Sequence, residues 1–177
     1  TNSISYSQTV DPMTLVRLTA PVNVKDNLNV SGNLNVSFPI KKINGRFSIG
    51  PSASFMKSIN LLNLQENTAR QRNLGGNARF DYTLKEIITA GVSANLSQQL
   101  TQYSFNTEDQ VYLNATYSAD VNVNFLKNYS FNSTFDFYSY RSQTTGFDQS
   151  IPILNFSVSR FLLKNKVGEL RLGLVNA

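Results

Sequence analysis

The chain has 177 residues, a formal net charge of +5, and neither cysteine nor histidine. This excludes disulfide frameworks, thiolate metal sites, Cys nucleophiles and every His-containing triad. Only 15% of residues are charged, while Asn, Ser and Thr together supply 55, a surface chemistry unusual for a cytosolic protein and one that argues against an enzyme.

In chain order, Thr1 opens a polar stretch with no basic region and apolar core of a signal peptide, so the sequence reads as a piece of a longer precursor. Weak strands are expected near residues 3–9 and 13–20. The first clear element spans 27–40. Leu28, Val30, Gly32, Leu34, Val36, Phe38 and Ile40 fall on one side, and Asn27, Asn29, Ser31, Asn33, Asn35 and Ser37 on the other. A period of two is a β-strand with one apolar and one polar face. The pattern predicts further strands at 47–62, 73–84, 87–102, 111–126, 129–141, 153–163 and 169–175, some eight to ten in all, with no helix of any length. No run of apolar residues is long enough for a membrane-spanning helix.

The connections alternate in length. Short turns are expected at Lys41–Arg46, Lys85–Glu86, Lys127–Asn128 and Lys164–Gly168, and longer polar loops at Asn63–Arg72, Gln102–Gln110 and Ser142–Pro152. An antiparallel up-and-down meander puts all short turns at one end. Phe38-Pro-Ile-Lys-Lys, Tyr82-Thr-Leu-Lys-Glu, Asn124-Phe-Leu-Lys-Asn and Phe161-Leu-Leu-Lys-Asn end successive hairpins alike, at offsets of 44, 42 and 37 residues. Each unit holds two long strands, which fits a hairpin repeat better than a propeller blade.

Two arrangements satisfy this alternation. A soluble secreted β-sandwich or barrel that binds a ligand would turn the apolar face inward. A transmembrane outer-membrane β-barrel turns it toward lipid, with aromatic girdles at strand ends and a polar lumen. The polar faces carry Asn, Ser and Thr instead of the charges that soluble sheets use, and the apolar face is expected to bear aromatics near strand ends, Phe38, Phe47, Phe125, Tyr129 and Phe161. The fold class expected is therefore all-β, an antiparallel meander forming part of a transmembrane outer-membrane barrel, over 1–177 as one segment.

The stretch from Gly32-Asn-Leu-Asn-Val-Ser-Phe-Pro-Ile-Lys-Lys to Ser159-Arg-Phe-Leu-Leu-Lys-Asn-Lys-Val-Gly-Glu-Leu-Arg-Leu-Gly resembles the C-terminal barrel of outer-membrane proteins related to TonB-dependent receptors, its most specific part being Pro152-Ile-Leu-Asn-Phe-Ser-Val-Ser-Arg-Phe-Leu-Leu-Lys-Asn-Lys. The resemblance implies a receptor or transporter of the Gram-negative outer membrane. Its partners would be outer-membrane lipid, a plug domain, the remaining barrel strands of the parent and, through the parent, TonB. The sequence itself holds no plug and no TonB-box segment. A structural, adhesive or biogenesis role for such a barrel is the alternative within the membrane class.

The remaining motifs carry little chemistry. Gly75-Gly76 makes no nucleotide loop. Asn29-Val-Ser31, Asn35-Val-Ser37, Asn95-Leu-Ser97 and Asn114-Ala-Thr116 match a glycosylation pattern that an alternating Asn/Ser face generates by itself. The 16 Lys and Arg form no stripe, and several fall in turns (Lys41, Lys42, Arg46, Lys85, Lys127, Lys164, Lys166), so no nucleic-acid partner is expected. No catalytic or cofactor-binding residue stands out. Asp120 and Asp136 flank the Lys127-Asn128 turn with matching parity, the one pair that could hold a cation. If Ile40 pairs with Phe47, Gly32 lies beside Phe55, whose ring would cover it. Open strand edges and an uncovered apolar face would also let the chain self-associate.

Overall fold

A computed structural model of the chain describes residues 3–85, 87–105, 108–163 and 167–176. Among these residues there are eleven strands in one sheet and no α-helix. The strands are β1 (Ser3–Val10), β2 (Arg17–Val24), β3 (Leu28–Asn33), β4 (Val36–Ile40), β5 (Gly45–Leu62), β6 (Gln65–Leu84), β7 (Ile88–Tyr103), β8 (Gln110–Phe125), β9 (Tyr129–Ser142), β10 (Asp148–Leu162) and β11 (Gly168–Leu174). From β5 to β11 each strand pairs antiparallel with the next, the expected meander. The sheet is open, ending at β11 on one side and at β2, β3 and β4 on the other.

The expected strand over 27–40 is interrupted between β3 and β4, yet both pair with β5 in one continuous register, Gly32 opposite Ala53 and Phe38 opposite Phe47. The gap falls where Leu34 meets Pro51. Leu34 N–H donates to the Pro51 carbonyl at 3.1 Å, but proline has no N–H to return the bond. The turn over 41–44 contains a 3-10 turn and Asn44 at φ 48°, and it closes on the pair Ile40–Gly45. The register therefore lies two residues from the one expected. Phe55 faces Val30, and no atom lies within 4 Å of where a Gly32 side chain would begin. Parity is preserved, so the faces are as the alternation assigns them.

Asn63–Arg72 is not a loop. β5 and β6 meet in a two-residue turn, Leu62 opposite Gln65, with Asn63 and Leu64 at φ 49° and 66°. These are the paired positive angles of a type I′ hairpin turn. The strand expected from residue 73 starts at Gln65. Of the other two long connections, the one between β9 and β10 is shortened to 143–147 and the one between β7 and β8 includes residues 106–107, which lie outside the described residues; both fall at the same end of the sheet as the Asn63–Leu64 turn. Glu86, and residues 164–166 of the last short turn, lie outside the described residues.

The N-terminal segment departs from the meander. β1 and β2 form a hairpin, Val10 opposite Arg17, and β1 runs parallel to β5 through Ser7–Leu61 and Gln8–Leu62. Asn63 anchors this contact. Its N–H donates to the Gln8 carbonyl at 2.8 Å and its Oδ1 accepts from Val10 N–H at 3.0 Å.

The sheet is a single layer. Val24 and Ile59 are the only buried apolar side chains among the described residues. On the meander's strands the buried polar side chains are Thr101, Ser130, Ser142, Ser157 and Ser159, all on the polar face by register. Large apolar residues stay open, Val92 at 55%, Leu96 at 50% and Leu172 at 75% exposure. A water-soluble sheet shows the reverse distribution.

Candidate functional site: the two faces of the sheet

Register carries the polar face across seven strands. At the end with the short turns, its centre is an ion-pair network around β7. Arg79 on β6 donates through Nε to Asp81 Oδ1 at 2.7 Å and through Nη2 to Asp120 Oδ1 of β8 at 2.9 Å. The second bond spans a whole strand. It passes over Gly91 of β7, which lies opposite both Asp81 and Asp120. A Cβ at Gly91 would overlap the guanidinium and come within 2.7 Å of Asp120 Oδ1, so the missing side chain is what lets the bridge form. Arg46 of β5 faces Asp81 from the other side. Two guanidiniums and two carboxylates balance around a depression of about 500 Å³.

Asp120 and Asp136 sit on this face as diagonal neighbours, Asp120 opposite Thr134 and Asp136 opposite Ser118. The Arg79 guanidinium already neutralises Asp120. Among the described residues there is no group of three or more acidic side chains able to hold a metal ion, so the arrangement favours an ion-pair network. Further along, Asn122 donates to Asn132, Asn73 donates to Ser54 at 3.0 Å, and Arg171 donates to Ser157 at 2.9 Å. Toward the other end, Tyr138 and Tyr140 stack with their rings 6.4 Å apart and nearly parallel. Phe161, expected among the apolar-face aromatics, lies on this polar face, because it follows Ser157 and Ser159 at period two.

The opposite face is an apolar band. It runs Leu74 to Leu84 on β6, Ile88 to Leu96 on β7, Leu113 to Phe125 on β8 and Tyr129 to Phe137 on β9, taking alternate residues. At the short-turn end Phe38, Phe47 and Phe80 align across β4, β5 and β6. Phe125 stacks on Tyr129 at 5.6 Å, and Arg160 lies over the Tyr129 ring at the same distance. At the other end the band gives way to Lys57, Arg70, Arg72, Gln98 and Arg141, the last paired with Asp148 at 3.1 Å. A shallow trough of about 780 Å³ crosses the band where Gly76, Ala78, Ala94 and Ala115 lie among larger neighbours.

Sequence reasoning singled out the two aspartates and missed Arg79, Asp81 and Gly91. Their shared parity was visible, but only the register shows that they meet. No protein-family model matches the chain, and no similar protein is found among curated proteins.

Proposed function

We propose that this chain forms part of a transmembrane β-barrel of the Gram-negative outer membrane, of the receptor or transporter type that TonB-dependent receptors represent, and that a polar ligand passes along its Asn/Ser/Thr face. What supports the reading is the exposed apolar band. Its extent on β6, β7 and β9 matches the roughly 9–11 residues that a tilted strand needs to cross hydrocarbon. Aromatics edge it at one end, as one of the two aromatic girdles of a transmembrane barrel does, and cations edge it at the other. In water such a face exceeds the few hundred Å² of contiguous apolar patch, roughly, that a soluble monomer tolerates. The ligand, the plug domain and TonB belong to this reading through the resemblance of the sequence alone.

The absence of cysteine makes accessibility scanning free of background. Single variants Val92→Cys, Ser93→Cys, Tyr117→Cys and Ser118→Cys, refolded into phospholipid vesicles, are treated with a water-soluble maleimide. Ser93→Cys and Ser118→Cys react, while Val92→Cys and Tyr117→Cys stay protected. Equal labelling of both faces would refute the proposal, as would a compact monomer that fails to float with the vesicles.

A further inference from the structure

Lys57 and Arg70 face each other directly across the β5–β6 pair, and Arg72 lies one step along on the same face. Directly opposed like charges destabilise a sheet, and the three side chains fall within roughly 8 Å of one another by strand geometry. Among the described residues no carboxylate lies within ion-pair distance of any of them. Asp109, beyond the neighbouring strand, accepts instead from Gln102 at 2.9 Å. Arg70 and Arg72 are exposed and Lys57 half-buried. The cluster stands at the edge of the apolar band, beside Phe55 and Leu100. One row below Arg72, at Leu74, begins the trough floored by Gly76, Ala78 and Ala94. From Leu74 to Ala78 it runs about 14 Å along the strand.

Cations above an apolar channel on one face describe the outline of a single molecule. We propose that Lys57, Arg70 and Arg72 bind the phosphate of an anionic phospholipid whose acyl chain lies in this trough. The phosphate relieves the opposed charges, which have no carboxylate within ion-pair distance among the described residues. Arginine offers paired donors to phosphate oxygens. The aliphatic stems lie along apolar surface while the charged heads reach the headgroup layer. The inference rests on the membrane reading above and assigns the site a ligand class.

Spin-labelled phosphatidylglycerol and phosphatidylcholine, each added to phosphatidylcholine vesicles holding the refolded chain, report the lipid motionally restricted at the protein surface. Phosphatidylglycerol is selected by about fivefold, the effect of one basic residue at an anionic surface. The combined Lys57→Gln, Arg70→Gln and Arg72→Gln variant loses the selection, whereas Lys41→Gln with Lys42→Gln, at the opposite end, retains it. Arg70→Gln alone guards against misfolding of the triple variant. It stabilises the sheet in zwitterionic micelles by removing the repulsion, and it lowers the selectivity partway. Restricted lipid without selectivity overturns this inference and leaves the membrane reading standing; no restricted lipid of either kind overturns both. Loss of selectivity with inorganic phosphate, but not with chloride of equal ionic strength, would make this a free-anion site and overturn the lipid assignment.

Discussion

The Arg79–Asp120 bridge over Gly91 lets one substitution have opposite signs in two backgrounds. In an ordinary strand Gly→Ala is stabilising by about 0.5–1 kcal/mol, because alanine loses less backbone entropy. At Gly91 the new methyl group takes the space of the Arg79 guanidinium and crowds Asp120. The Arg79, Asp81 and Asp120 side chains are 39–40% exposed, so each ion pair is worth no more than about 0.5–1 kcal/mol. Displacing the guanidinium costs the Asp120 bond and loosens the Asp81 bond, together about 1.5 kcal/mol. Gly91→Ala is thus destabilising by about 0.5–1 kcal/mol in the wild type. In an Arg79→Ser background only the entropic gain remains, and the same change stabilises by about 0.5–1 kcal/mol. Urea titrations in detergent micelles, followed by circular dichroism and by tyrosine emission (there is no tryptophan), give the four free energies of the cycle. A coupling below about 0.5 kcal/mol, the limit of additivity for independent sites, would show that the bridge does not depend on the glycine.

Two further predictions concern the turns. Leu64 holds φ 66° in a type I′ turn behind Asn63, a conformation costing a non-glycine residue about 1 kcal/mol. Leu64→Gly creates the favoured Asn-Gly pair and should raise the unfolding free energy by about 0.5–1 kcal/mol; a lower urea midpoint would contradict the turn assignment. In the β1–β2 turn, the N–H groups of Met13 and Thr14, at 2.9 and 3.4 Å from Asp11 Oδ1, and the Thr14 hydroxyl hold the Asp11 carboxyl below its ordinary pKa. A lowered folded-state pKa contributes stability above the unfolded value, lost as pH falls through the folded one. Amide protection of Leu15, which donates to the Asp11 carbonyl, should therefore drop in acid below the normal carboxylate range, and Asp11→Asn should remove that dependence. Unchanged acid behaviour in the variant would dismiss the carboxylate's role.

Alternation was enough to read the faces, because side chains of a strand have only two directions and β7 to β9 keep one parity from end to end. It carried no information where both faces are polar. Gln65 to Arg72 extends β6 past the apolar band, so its composition reads as loop, and the Asn63–Leu64 turn lacks the glycine that usually marks such a hairpin. Parity also leaves a shift of two residues undetermined. The 41–44 turn sets that shift, which is why Gly32 faces Ala53. The parallel contact of β1 with β5 covers two residue pairs and leaves no pattern in the sequence. The charged network was legible in kind but not in place. Arg79, Asp81, Gly91 and Asp120 share a face, and three strands must align before the bridge exists.

Among the described residues the hairpin β1–β2 meets the sheet through Ser3, Ser7, Gln8 and Val10, with the side chains of Asn27 and Asn63 as bridges. Its detachment leaves the pairing from β3 to β11 intact, so it has the makings of a separate cooperative unit with a low opening free energy. Hydrogen exchange would then fall into two tiers. Amides between β1 and β2 would exchange by a local event, nearly independent of denaturant. Those between β6 and β9 would exchange only when the long strands part. The swing point lies between Val24 and Leu28, where Asp26 sits at φ 67°. Opening there uncovers the backbone of Leu61 and Leu62 at the tip of β5, an edge to which another extended segment can pair while the rest of the sheet stays folded.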